Sequence, residues 1–323
     1  MEQLKPKVVR VTTRVVTVGV FLLLIAGALV TSTGSGLAVP DWPLSYGRLM
    51  PPMVGGIFYE HGHRIVAAAV STLVGLQLAI VLWGEKRRTL KTLAATAFAA
   101  ILLQAILGGL TVIFLLPPAV SSAHAGLAEI VFAMAGSLAL LTWQGVADGS
   151  AFRPGDATQI ADASRLVTLA TAVIFVQILL GAVVRHTGAG LAIPDFPLSF
   201  GHVLPTGAEL ARRGVAIHLA HRLGALATAA LLVAAALRLR RLGSVSRLFP
   251  RLALSWIVLL VAQLALGGFS IWSKRAVPVT AAHLAVGALC FLTGVLGAVA
   301  LGVAARRGAE PAAASESRAR NAA

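Results

Sequence analysis

Residues Gly34 to Gly47 read GSGLAVPDWPLSYG, and residues Gly188 to Gly201 read GAGLAIPDFPLSFG. Ten of these fourteen positions are identical at an offset of 154, which marks an internal duplication. The offset drifts only to 158 at His63-Arg64 and His221-Arg222, and to 159 at QAILGG (from Gln104) and QLALGG (from Gln263). Insertions within the unit are small, so a whole half of the chain repeats.

Long apolar runs flank both copies. Of 323 residues, 58% are hydrophobic and 12% charged, and mean hydropathy is +0.87; a soluble domain carries about twice that charge. The expected solvent is the lipid bilayer. A span needs about 20 apolar residues, and eight stretches qualify: 14–33, 58–83, 92–115, 119–143, 165–185, 214–237, 252–272 and 279–303. Four spans per repeat is an even number, so both halves enter the membrane in the same direction and the duplication is parallel. The predicted fold is an all-α integral membrane protein whose eight transmembrane helices form two tandem, parallel four-helix bundles. Residues 1–144 form the first repeat, 145–164 a polar cytoplasmic linker, 165–303 the second repeat and 304–323 a disordered cytoplasmic tail.

The net charge of +15 raises nucleic acid as a partner, but 19 of the 27 basic residues fall in alternate connections and not on one soluble face. That alternation excludes nucleic acid and, by the positive-inside rule, puts both termini in the cytoplasm of a cell (plasma) membrane protein. The first apolar run has no small-residue cleavage site and reads as a true span, not a signal peptide. Cys290 is the single cysteine, which reads as a small apolar core residue.

Four of the eight histidines occupy matching positions: His63 with His221, and His124 with His283. Each lies about 17 to 23 residues from the cytoplasmic end of its helix, so at about 1.5 Å per residue all four share one depth toward the outer leaflet. Within a half they come from the second and fourth helices. Inward-facing imidazoles across a bundle are how proteins grip haem iron from both axial sides. Structural zinc wants four N or S ligands, and each half offers two.

Around these ligands several residues have two readings. Glu60 precedes His63 by three residues, on nearly the same face, and reads either as a proton acceptor beside a substrate or as an interfacial partner of Arg64. The equivalent position of the second half is His218, which suits packing, proton handling or replacement ligation. Arg64 and Arg222 suit either haem propionates or lipid headgroups. His61, His186 and His202 are expected to be solvated or interfacial. Gln104, Gln177 and Gln263 each begin a Gln-x-x-Leu-Gly pattern suited to close helix packing. Trp42, Tyr46, Phe196 and Phe200 cap the bundle mouth or anchor the interface. Glu129, about one turn below His124, extends a polar path.

TGSGLAVPDWPLSYG, EHGHR at Glu60 to Arg64, QAILGG, and SSAHAG around His124, all repeated in altered form downstream, resemble the haem A synthase family over residues 10–303. The resemblance implies conversion of haem O to haem A for haem-copper terminal oxidases, by oxidation of a porphyrin methyl to a formyl group. It implies His63 and His124 as ligands of the substrate haem O, His221 and His283 as ligands of a resident haem B, and Glu60 as the catalytic carboxylate. It leaves the electron acceptor unidentified and makes haem O synthase a candidate partner. Many members carry a cysteine pair in the first outer loop. Here those positions are Val39 and Ser45, with Ile193 and Ser199 in the second half.

The expected activity is thus a membrane-bound, haem-dependent oxidoreductase. A dihaem b-type cytochrome that only transfers electrons would use the same four histidines, with Glu60 the discriminating residue. A transporter is disfavoured, because the repeats are parallel and the polar residues sit near one surface, not at the midplane.

Overall fold

The computed structural model describes residues 6–321, and eight long helices dominate it. They are α1 (Pro6–Ser32), α2 (Gly55–Gly84), α3 (Arg88–Ile113), α4 (Pro118–Thr142), α5 (Ala157–His186), α6 (Val215–Arg241), α7 (Leu248–Trp272) and α8 (Val277–Asn321). All eight are long and apolar enough to cross a membrane. The chain is a multi-pass, all-α membrane protein. Two isolated bridges, Ser45–Arg48 and Ser199–His202, are the only β pairing among the described residues.

Most helices overrun their apolar stretches at the basic ends. Lys and Arg on a helix can carry their charges to the headgroups while the backbone keeps its hydrogen bonds, so polarity there does not stop the helix. The linker differs from expectation in the same direction. Asp156 caps α5 by accepting from the amides of Thr158 (2.8 Å) and Gln159 (3.1 Å), which starts that helix eight residues before the apolar run. Upstream, Val146 and Phe152 are buried, and the Phe152 ring lies 6.0 Å from that of Phe249. The linker is therefore packed against the second half. The tail from Ala304, expected to be disordered, continues α8 to Asn321; its alanine-rich composition favours helix strongly enough to extend the span.

Contacts join α1 to α2, α2 to α3, α3 to α4 and α4 back to α1, and the same cycle links α5 to α8. The halves meet through α1–α8, α4–α5 and α4–α8. In α4 and α8, 56% and 61% of the apolar stretch is buried, against 17–28% in the other six, so these two are the innermost helices. Small residues allow the close approach. A methyl on Gly136 would meet Leu292 at 2.4 Å, and one on Gly126 would meet Leu179 at 2.6 Å. Both innermost helices carry one of the four singled-out histidines.

Candidate functional site

Each of the four histidines lies against a glycine of the preceding helix in the chain. A methyl placed on Gly27 of α1 would lie 3.2 Å from Cε1 of His63 on α2, and one on Gly108 of α3 would lie 3.2 Å from Cε1 of His124 on α4. The second half repeats this, with Gly181 of α5 at 3.0 Å from His221 and Gly267 of α7 at 3.4 Å from His283. Gly27 and Gly181 are 154 apart, and Gly108 and Gly267 are 159 apart. The glycines thus act as seats, and the rings lie where any larger residue would push them aside.

Glutamines set the carrying helices. Gln104 donates to the backbone carbonyl of His124 at 2.7 Å, and Gln177 donates to that of His221 at 2.7 Å while its amide lies 2.9 Å from Nδ1 of the same ring. Gln263 stands 3.4 Å from Nε2 of His283. The ring nitrogens Nδ1 of His63, His124 and His283 are buried with no hydrogen-bond partner. Orphaned imidazole nitrogens are costly unless something else engages the ring. His63 and His124 stand on α2 and α4 of the first half, and His221 and His283 on α6 and α8 of the second. Among the described residues no group of three or more His, Cys, Asp or Glu gathers as a metal site. Two imidazoles per half suit a group that brings its own equatorial ligands, as a porphyrin does.

The Pro-Asp loops close the outer end of each half. Asp41 accepts from the amides of Tyr46 (2.6 Å) and Gly47 (2.8 Å), and Asp195 from those of Phe200 (2.7 Å) and Gly201 (2.8 Å). The Gly47 and Tyr46 amides hold the Asp41 carboxyl below the usual aspartate range. For Asp195 burial pushes upward, but the Gly201 and Phe200 amides outweigh it and the carboxyl again sits low. Tyr46, Gly47, Phe200 and Gly201 all have φ between 54° and 81°, the left-handed conformation that these turns require. Trp42 covers Gly109 and Phe196 covers Gly268, each next to a glycine that seats a histidine. Of the two roles open to these aromatics, Trp42 and Phe196 take the capping one.

Several residues lie elsewhere than expected. Arg64 donates to the carbonyls of Asp41 (2.8 Å) and Leu44 (2.9 Å) and to Glu60 (2.8 Å); Arg222 donates to those of Asp195 (2.6 Å) and Leu198 (2.9 Å). Both guanidiniums, open in the sequence to propionates or lipid headgroups, tie the loops down, because their position on the helix turns them under the loop. Glu60 is buried, with Oε2 accepting the amide of Val39 at 2.7 Å and Oε1 paired with Arg64. Nδ1 of His218 accepts the amide of Ile193, the repeat counterpart of Val39, at 3.2 Å. His218 is therefore the loop anchor of its half. His61, expected to be solvated or interfacial, is buried under the loop and bonded to Ser45 at 2.8 Å. Glu129 is buried with Oε2 unpartnered.

Residues 54–295 match the family model described as Cytochrome oxidase assembly protein (COX15-CtaA). The chain belongs to this family. Among similar proteins, Heme A synthase of Halalkalibacterium halodurans is 30% identical over 283 residues, covering 86% of this chain and 91% of its own. Heme A synthase of Symbiobacterium thermophilum is 33% identical over 274 residues, covering 81% and 85%. The alignment with Heme A synthase of Bacillus pumilus, 35% identical, spans 62% of that protein's length. A family assignment over residues 54–295 includes all four histidines, Glu60 and three of the four seat glycines, with Gly27 and the first Pro-Asp loop lying upstream of it.

Proposed function

We propose that the chain is a haem A synthase, oxidising a methyl group of haem O to formyl for haem-copper terminal oxidases. The carrying observation is the set of four glycine-seated histidines, two in each of two repeat-related halves, three of which keep a buried Nδ1 without a hydrogen-bond partner. His63 and His124 hold the substrate haem in residues 1–144, and His221 and His283 hold a resident haem B in residues 165–303, each half a four-helix bundle. The balanced half-reaction is R–CH3 + H2O → R–CHO + 4 H⁺ + 4 e⁻. The resident haem supplies a one-electron redox centre.

The protein's own part is binding, orientation and proton handling. Glycine seats and glutamine bonds orient the imidazoles, and the Trp42 and Phe196 loops limit water at the outer end. Glu60 stands on the His63 face as the only carboxylate at that level of α2, so it is the residue to take a proton, releasing one of its two present bonds when it does. Its counterpart His218 makes the same loop contact without the carboxylate, which favours chemistry in the first half and electron transfer in the second. Both termini lie in the cytoplasm and the sites face the outer leaflet of the plasma membrane. Haem O synthase is the partner that would deliver substrate, and the electron acceptor is a separate component.

Chromatography of haems extracted from cells making this chain alongside a source of haem O tests the function. Haem A should appear, and should be absent when His63 is replaced with Ala. Accumulation of haem O alone by the unaltered chain would leave the dihaem electron-transfer reading in its place.

A further inference from the structure

The two halves superpose in conformation at their outer mouths but not in charge. The α3–α4 turn carries Leu115 and Leu116 at φ 57° and 59°, and the α7–α8 turn carries Lys274 and Arg275 at 51° and 67°. The Leu116 side chain meets Gly36 as Arg275 meets Gly190, its repeat counterpart, so these positions are equivalent in space. At the end of the first helix of each half, Thr31 is matched by Arg185. Three neutral residues of the first half thus become three cations of the second.

Those cations have no carboxylate. The ion pairs among the described residues are Glu60–Arg64, Glu85–Arg87 and Asp162–Arg165. The acids of the second half's outer loop, Asp195 and Glu209, are committed to loop amides and to Thr206. Arg185 reaches from α5 to neutral oxygens of α1, the Ala28 carbonyl at 3.2 Å and the Ser32 hydroxyl at 2.5 Å, and its Nε is buried with no acceptor. Ser32 also accepts from Thr280 of α8, three residues before His283, which places the Arg185 guanidinium beside the helix that carries that ring. A half-buried guanidinium with no carboxylate partner and a buried Nε without an acceptor has a donor left for an anion.

We propose that Arg185, Lys274 and Arg275 form an anion site at the outer mouth of the second half that takes the carboxylates of the porphyrin held by His221 and His283. The proposal rests on the reading of that half as a resident-haem site. The buried Nε of Arg185 commits the site to a ligand entering between the helices, not to a headgroup lying on them. Planar guanidinium donors match carboxylates in pairs. Leu115 and Leu116 deny the first half the same feature, so the two halves grip their porphyrins differently.

A redox titration of the purified protein, made without haem O, tests this. Removing a cation beside the haem disfavours the reduced form. Arg185→Gln and Arg275→Gln should each weaken reduction by about threefold to tenfold, tenfold being about 59 mV for one electron. Arg185→Lys should shift it less. Ser32→Ala, which removes the contact between halves but leaves the cation, should keep the wild-type potential. A double variant Arg185→Gln/Arg275→Gln with bound haem at the wild-type potential would overturn the site. So would loss of haem in Arg185→Gln with Arg275→Gln unchanged, since that pattern is structural. If the spectrum instead survives His221→Ala and His283→Ala in the otherwise unaltered chain, the resident-haem reading itself fails.

Discussion

At the scale of single residues, the histidines are only as well placed as the glycines beneath them. A methyl at Gly181 would sit 3.0 Å from His221, tighter than ordinary contact, whereas at Gly267 it would sit 3.4 Å from His283. Overpacking of this kind costs about 1–3 kcal/mol. Gly181→Ala should therefore lower the amount of low-spin haem in the purified protein more than Gly267→Ala does, as read by the reduced-minus-oxidised spectrum. Equal losses would mean that the seats do not set ring position. Glu60→Gln keeps shape and one hydrogen bond but cannot take a proton. It should retain the resident haem and accumulate haem O while haem A falls at least about tenfold, in the range of general-base removal; unimpaired conversion would leave Glu60 only as the anchor of Val39. The four histidines stand out in the sequence because the duplication repeats them, and Glu60 because its counterpart, His218, breaks the repeat. The seats were not, since a glycine in an apolar helix reads as packing until the neighbouring helix is placed. A signal existed: Gln104, Gln177 and Gln263 each stand four residues before a seat. The loop contacts of Arg64 and Arg222 were not legible either, because sequence spacing gives an angle around a helix and not what the loop above will offer.

At the scale of elements, the Pro-Asp loops are held by side chains that accept backbone amides. Asp41 has its carboxyl lowered in the folded protein, so its contribution to loop order is fully present above the ordinary aspartate value of about 3.9 and is lost as pH falls through the lower folded value. Amide exchange at Tyr46 and Gly47, corrected for intrinsic rate, should thus stay slow from neutral pH down to about 5. Asp41→Asn should speed it several-fold at neutral pH, and an unchanged rate would show that Arg64 alone holds the loop. Hydropathy placed the eight helices, but their ends were shifted wherever a cap or a basic residue continued the backbone beyond the apolar run, as Asp156 does for α5. The linker was misread for a related reason. Val146 and Phe152 are isolated apolar residues in a polar stretch, and only tertiary packing against Phe249 reveals them as core.

At the scale of the whole molecule, the duplication organises both fold and chemistry, and α4 and α8 form the shared centre through which the halves touch. The proposed orientation, which rests on the basic connections, has Arg238 to Arg251 in the cytoplasm. A reporter fused after Arg241 should be active only in its cytoplasmic form, and an exported fusion would place the sites at the opposite surface. Repeat symmetry is what made the matching histidines legible from sequence, and departures from it, Glu60 against His218 and Leu115-Leu116 against Lys274-Arg275, are what the proposed division of tasks between the halves rests on. That division of labour is most directly tested by the spectrum of protein purified without haem O. A six-coordinate, low-spin b-type signal should be present, should be largely lost in His221→Ala and His283→Ala, and should persist in His63→Ala and His124→Ala. A signal that survives the first two substitutions and disappears with His63→Ala would contradict the assignment and reverse the roles of the halves.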